Sequence, residues 1–140
     1  MKALNVKSIV ALLLMSLFFV TAVSAQTKNK KDNNITAVAL YQAFRTNKSK
    51  PYEKKVMQIS GIATSVGPDP YALPSVELAE DKGKSSRVLC VLPFSDYLKL
   101  RHVSKGDQVV IEGEVRGFSS EHNYVVVKEC KIITVNGKKP

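Results

Sequence analysis

From residue 56 onward, hydrophobic and polar positions alternate along this chain. Met57, Ile59, Gly61 and Ala63 share one face of Val56 to Val66, with Gln58, Ser60 and Thr64 on the other. That two-residue period predicts a half-buried strand, which Gly67-Pro68-Asp69-Pro70 ends in a turn. A second strand is predicted over Tyr71 to Glu80, with Val76 and Leu78 on one face and Pro74 marking an edge or bulge in its first half. Asp81 to Ser86 is a polar loop containing Gly83, a hairpin signal. Arg87 to Leu92 is almost wholly apolar and reads as a buried third strand stopped by Pro93. Ser95 to His102 predicts a short helix with Ser95 as N-cap. After Lys105-Gly106-Asp107, the stretch Gln108 to Gly117 sets Val109, Ile111, Gly113 and Val115 against Gln108, Glu112, Glu114 and Arg116, a clear fourth strand. Phe118 to Asn123 is a polar loop, and Tyr124 to Val135 is the fifth strand. Upstream, Ile35, Val38, Ala39, Tyr41, Gln42 and Phe44 recur at helical spacing, which predicts an amphipathic helix to about Thr46 with Asn34 as N-cap.

This order makes the chain mainly β. Five strands, an N-terminal helix and a short helix between strands three and four are the layout of an OB-fold Greek-key barrel. Gly61 suits the bend that the first strand needs to serve both sides of such a barrel. In this barrel the third strand closes alongside the fifth, which sets Cys90 and Cys130 on neighbouring strands.

The N-terminus breaks the alternation. Lys2 and Lys7, an apolar run from Ile9 to Val20 and the small residues Val23-Ser24-Ala25 are the anatomy of a cleavable secretory signal over residues 1–25. The run is short for a membrane span, which needs roughly 20 apolar residues. Residues 26–34 lack apolar side chains and read as a disordered linker, 35–135 as the barrel domain and 136–140 as a flexible tail. The expected product is exported, periplasmic or secreted. Its +7 charge, after Lys2 and Lys7 leave the 21 basic residues, favours anionic surfaces, although much of it lies at the two ends. In an oxidising compartment the two cysteines, Cys90 and Cys130, invite a disulfide, with two buried free thiols as the alternative.

The residues from Ala39 to Ile133 carry a resemblance. Tyr52 to Lys55 leading into Val56-Met57-Gln58-Ile59-Ser60-Gly61-Ile62, then Val88-Leu89-Cys90-Val91, Gly106 to Gly113 and Lys128-Glu129-Cys130-Lys131-Ile132-Ile133 resemble the tRNA-anti-like OB domains of exported bacterial proteins. A weaker likeness is to the OB-fold stress proteins of the bacterial periplasm. The resemblance implies an OB barrel and a paired cysteine pattern, and transfers no functional residue.

Catalytic chemistry is sparse. The chain has two histidines, His102 and His122, without tight metal spacing, and lacks a nucleophile elbow, a phosphate-binding glycine loop and a dinucleotide fingerprint. Glu112 and Glu114 share a strand face with Arg116, as a solvent face does. Asn34-Ile35-Thr36 and Asn47-Lys48-Ser49 match the short glycosylation pattern, which has meaning only in a host with that machinery. No enzyme, cofactor or metal is therefore expected. OB-folds hold ligands on strands two and three with the adjoining loops. The candidates there are Tyr71, Lys82, Lys84 and Arg87, with Phe118, His122 and Tyr124 from the last hairpin. Cations along a backbone path and exposed aromatic faces suit single-stranded nucleic acid. Packing at the barrel mouth is the other reading of Tyr71 and Phe118. The sequence thus leaves a binding module for a small-molecule, polyanionic or protein ligand, with single-stranded nucleic acid and a structural or stress-related envelope role as alternatives.

Overall fold

The first element among the described residues is a strand. In the computed structural model, which describes residues 33–80 and 86–140, β1 (Asn34–Thr36) runs parallel to β2 (Val56–Pro68), setting Asn34, Ile35 and Thr36 opposite Gln58, Ile59 and Ser60. The Gln58 N–H also donates to the Asn33 carbonyl at 2.8 Å, so the extended backbone is satisfied before a helix begins. α1 (Ala37–Arg45) follows, capped by Thr36, whose hydroxyl accepts the Ala39 N–H at 3.2 Å. Asn34, expected as both linker end and helix cap, is instead a strand residue, and the cap falls two positions later. The expected signal over 1–25, the linker up to residue 32 and residues 81–85 of the polar loop lie outside the described residues.

The remaining strands are β3 (Pro74–Ala79), β4 (Val88–Val91), β5 (Gln108–Ser119) and β6 (Tyr124–Val135). They pair in the order β2-β3-β4-β6-β5, and β5 returns to β2, closing the five-stranded barrel. β4 lies parallel to β6, the third strand against the fifth as expected, and β1 is a sixth strand laid on β2. Asn33 to Pro140 form one compact unit.

β2 serves two partners. Val56 to Ile62 pairs with β5, Ile62 to Pro68 pairs with β3, and the register slips between Ala63 and Ser65. Gly61 lies just before that bulge, and close approach explains it: a Cβ would stand 2.9 Å from the Ala79 carbonyl oxygen and 3.1 Å from the Ala37 Cβ. The inward faces carry Ile59, Val76, Leu78, Val88, Val109, Ile111, Val115, Val125 and Val127, all fully buried. Leu40 and Tyr41 of α1 join the same cluster. Each such aliphatic side chain contributes roughly 1.5–3 kcal/mol.

β6 carries a bulge that period-two reading misses. Lys128 and Glu129 both face solvent, Glu129 has a left-handed backbone (φ 52°), and the register against β5 shifts between Glu112 and Glu114. Strict alternation after Val125 and Val127 would turn Glu129 inward. The extra residue turns Cys130 and Ile132 into the core instead.

Two expectations change in detail. The segment after Pro93 is a 3-10 helix (Phe94–His102) that buries only Leu100, and Ser95 is inside it without a side-chain cap. At the C-terminus, Asn136 and Gly137 turn the chain back so that Val135 bridges to Lys138. The Asn136 side chain accepts the Gln108 N–H at 2.9 Å and donates to Asp107 at 3.1 Å. The tail is therefore tied down as far as Lys138.

Candidate functional site

The turn between β2 and β3 is built by one side chain. Asp69 Oδ1 accepts the N–H groups of both Tyr71 and Leu73 at 2.8 Å, and its own N–H donates to the Leu73 carbonyl at 2.8 Å. With Ala72 in the left-handed region (φ 62°), this fold-back presents Tyr71 to solvent, 77 % exposed. Tyr71 is therefore not packed into the barrel mouth.

Below it lies a second apolar cluster, separate from the barrel core. Alternation in β4 sends Val88 and Cys90 inward, so Leu89 and Val91 face outward, where they meet Tyr124 and Val126 of the parallel strand β6. A cleft of about 340 Å³ is lined by this floor together with Asp69, Tyr71, Leu73 and Lys128. Burial holds the Tyr124 phenol above its ordinary pKa, with Asp69 and Tyr71 adding to the effect, so the hydroxyl stays neutral at physiological pH.

Arg87 ties the edges of this face together. Its Nε and Nη2 donate to the two Glu77 oxygens at 2.9 and 2.8 Å, and Nη1 donates to the His122 carbonyl at 3.1 Å. Its guanidinium also lies over the Tyr124 ring at 5.5 Å, and the His122 ring stacks on Tyr124 with centroids 5.5 Å apart. The hydrogen bonds from Arg87 hold the Glu77 carboxyl below its usual range against the opposing effect of burial. Arg87 is thus paired.

Of the sequence candidates, Tyr71, Arg87, His122 and Tyr124 lie around this face, whereas Lys82 and Lys84 lie outside the described residues. Phe118 does not join it. Its ring meets Tyr41 edge-on at 6.0 Å, stacks with Phe44 and sits under Arg45, so it docks α1. The floor residues Leu89, Val91 and Val126 were not singled out from sequence. Their signal is the run Arg87 to Leu92, apolar on both faces, a pattern that burial alone also produces. The face also lies over strands three and five, with strand two contributing Glu77 at its edge.

Cys90 and Cys130 both lie buried in the core, as free thiols in this structure. Cys130 as hydrogen-bond partner, together with burial, pushes the Cys90 thiol well above its ordinary pKa. Cys130 also meets the Val127 carbonyl at 3.4 Å. Gly113 makes room for it, since a Cβ there would stand 2.6 Å from the Cys130 sulfur.

Known proteins bear on this fold. The tRNA_anti-like family model matches residues 1–131. No curated protein matches the chain. Among solved structures, a lipoprotein of Klebsiella pneumoniae subsp. pneumoniae MGH 78578, described as a candidate for nucleic acid binding, aligns at 12% identity and TM-score 0.54, covering 71% of this chain and 92% of its own. A candidate aspartyl-tRNA synthetase of Leishmania major Friedlin aligns at 13% identity and TM-score 0.51, covering 91% of this chain and 26% of its own. At these identities the likeness is one of fold.

Proposed function

The chain belongs to the tRNA_anti-like family, and from that premise we propose that it is a non-enzymatic, exported binding module. Its ligand lies in the cleft over Leu89, Val91, Tyr124 and Val126, with a flat ring stacked on Tyr71. The observation that carries this reading is the second apolar cluster, outside the barrel core and overlooked by an exposed tyrosine. Apolar floors with a few polar edge groups are the usual make-up of ligand sites. Charge narrows the ligand. Asp69 and Lys128 are the two charged residues lining the cleft, and the nearby Arg87 is engaged by Glu77. The cleft therefore has no net positive charge from its lining, and a neutral ring, such as a sugar or a single base, suits it better than a run of phosphates.

The second reading is single-stranded nucleic acid, favoured by the exposed Tyr71 and by the basic balance of the whole chain. The two readings separate in one titration of isotopically labelled protein with a neutral oligosaccharide panel and with a thymidine oligonucleotide. Shifts at Tyr71, Leu89 and Val126 that persist at high salt support the first. A steep loss of oligonucleotide affinity with salt supports the second. In either case Tyr71→Ala should weaken binding by about fivefold or more, from the 1–3 kcal/mol of a stacked ring, while leaving the melting temperature unchanged. Shifts confined to other faces of the barrel would refute the site.

A further inference from the structure

We propose that the 3-10 helix Phe94–His102 docks the domain on an anionic phospholipid surface. This segment has an inverted burial pattern for a soluble barrel. Phe94, Tyr97 and Leu98 are 72 %, 50 % and 70 % exposed, while only Leu100 turns into the core. Phe94 and Tyr97 are one turn apart in a helix of three residues per turn, and their rings lie 6.3 Å from one another. Three large apolar side chains thus stand together within five residues. An isolated exposed leucine needs no explanation, but a patch of this kind marks a contact surface.

Charge identifies the occupant. Asp96 is the one carboxylate in the segment and is paired with Lys99 at 3.1 Å, while Arg101 and His102 are exposed at its C-terminal end. Next to the helix a cleft of about 460 Å³ is lined by Lys99, His102, Lys131 and Lys139 together with Ile132, Ile133 and Pro140, with no Asp or Glu side chain among its lining residues. On the other side, Tyr97, Leu98 and Arg101 line a second, apolar cleft with Val66 and Gly67. Apolar and aromatic side chains bordered by cations match the boundary between acyl chains and anionic headgroups. Tyr97 has the amphipathic ring that settles at that boundary. A nucleic acid could stack on the rings and use the cations but would leave the aliphatic Leu98 in water, and a neutral protein surface would leave the lysines without partners. The helix is too short to span anything. Among the described residues no helix is long and apolar enough to cross a membrane, so the contact is peripheral.

The test is sedimentation of residues 33–140, which form a compact unit with their own core, with vesicles of phosphatidylcholine alone or mixed with phosphatidylglycerol. Binding should require the anionic lipid and fall as salt rises. The double variant Phe94→Ser/Leu98→Ser should bind the mixed vesicles at least tenfold more weakly, and Lys99→Gln/Arg101→Gln severalfold more weakly. All four positions are exposed, and unchanged circular dichroism checks the fold. No sedimentation of the wild-type domain at low salt overturns the proposal. Equal binding by the serine variant also overturns it, because attachment would then lie elsewhere. Tyr71→Ala should bind vesicles like the wild type, which keeps this result separate from that for the cleft.

Discussion

At the scale of single residues, Glu77 and Gly113 show two ways in which one position holds the barrel, by a side chain and by the lack of one. Glu77 is pinned by Arg87, and its carboxyl is lowered below its ordinary value by those hydrogen bonds. A lowered carboxylate contributes stability that is present above the unfolded pKa and lost as pH falls through the folded one. Unfolding midpoints measured below pH 5 should therefore fall less steeply with pH in Glu77→Gln than in the wild type. At neutral pH the variant should lose about 1 kcal/mol or less, because the Arg87 side chain is 37% exposed. Gly113 has a steric role. Gly113→Ala should destabilise by roughly 1–3 kcal/mol through overpacking against Cys130 and Val127. Part of that loss should return in Gly113→Ala/Cys130→Ala, where the sulfur is gone, and denaturant titration of the three proteins checks this. Gly113 was readable in sequence as an inward strand position but not as a space-maker, because the atom it makes room for sits behind a bulge on another strand.

At the scale of elements, the alternating strands were legible and their irregularities were not. Val109, Ile111 and Val115 pointed inward as their spacing required. β1 was hidden because three residues are too few for a period, and its pairing with β2 is a tertiary event. Its last residue also caps α1, so Thr36→Ala should cost about 1 kcal/mol, read from thermal or urea unfolding. The bulge at Glu129 was hidden for a related reason: one inserted residue breaks a period without leaving a composition signal. The outward floor of β4 was hidden because apolar residues on both faces look the same whether the second face meets the core or a ligand. The turn at Asp69 has the Pro and Asp chemistry of a turn in its sequence, but the outward aim of Tyr71 depends on which N–H groups the carboxylate collects.

At the scale of the whole molecule, the ring of β2-β3-β4-β6-β5 and the third strand's place beside the fifth followed from element order alone. The ligand face did not, because it assembles residues from the β2–β3 turn, β4 and β6 that no local window contains. The proposed export bears on the cysteines, which share one core across two strands. If the protein matures in an oxidising compartment, its mass should lie two hydrogens below the fully reduced value. Two thiols alkylated in the native exported protein would refute this.

Ring closure also sets an order of events. Val56 finds its partner Glu114, and Cys90 comes beside β6, only when the last third of the chain is present. Pairings so far apart in sequence form late and slowly. A chain emerging N-terminus first would hold Cys90 without its internal partner until residue 130 had followed. If the two cysteines are oxidised after export, the thiol in that interval is open to small oxidants or to another protein's sulfur, and the timing of emergence then bears on which sulfur it meets.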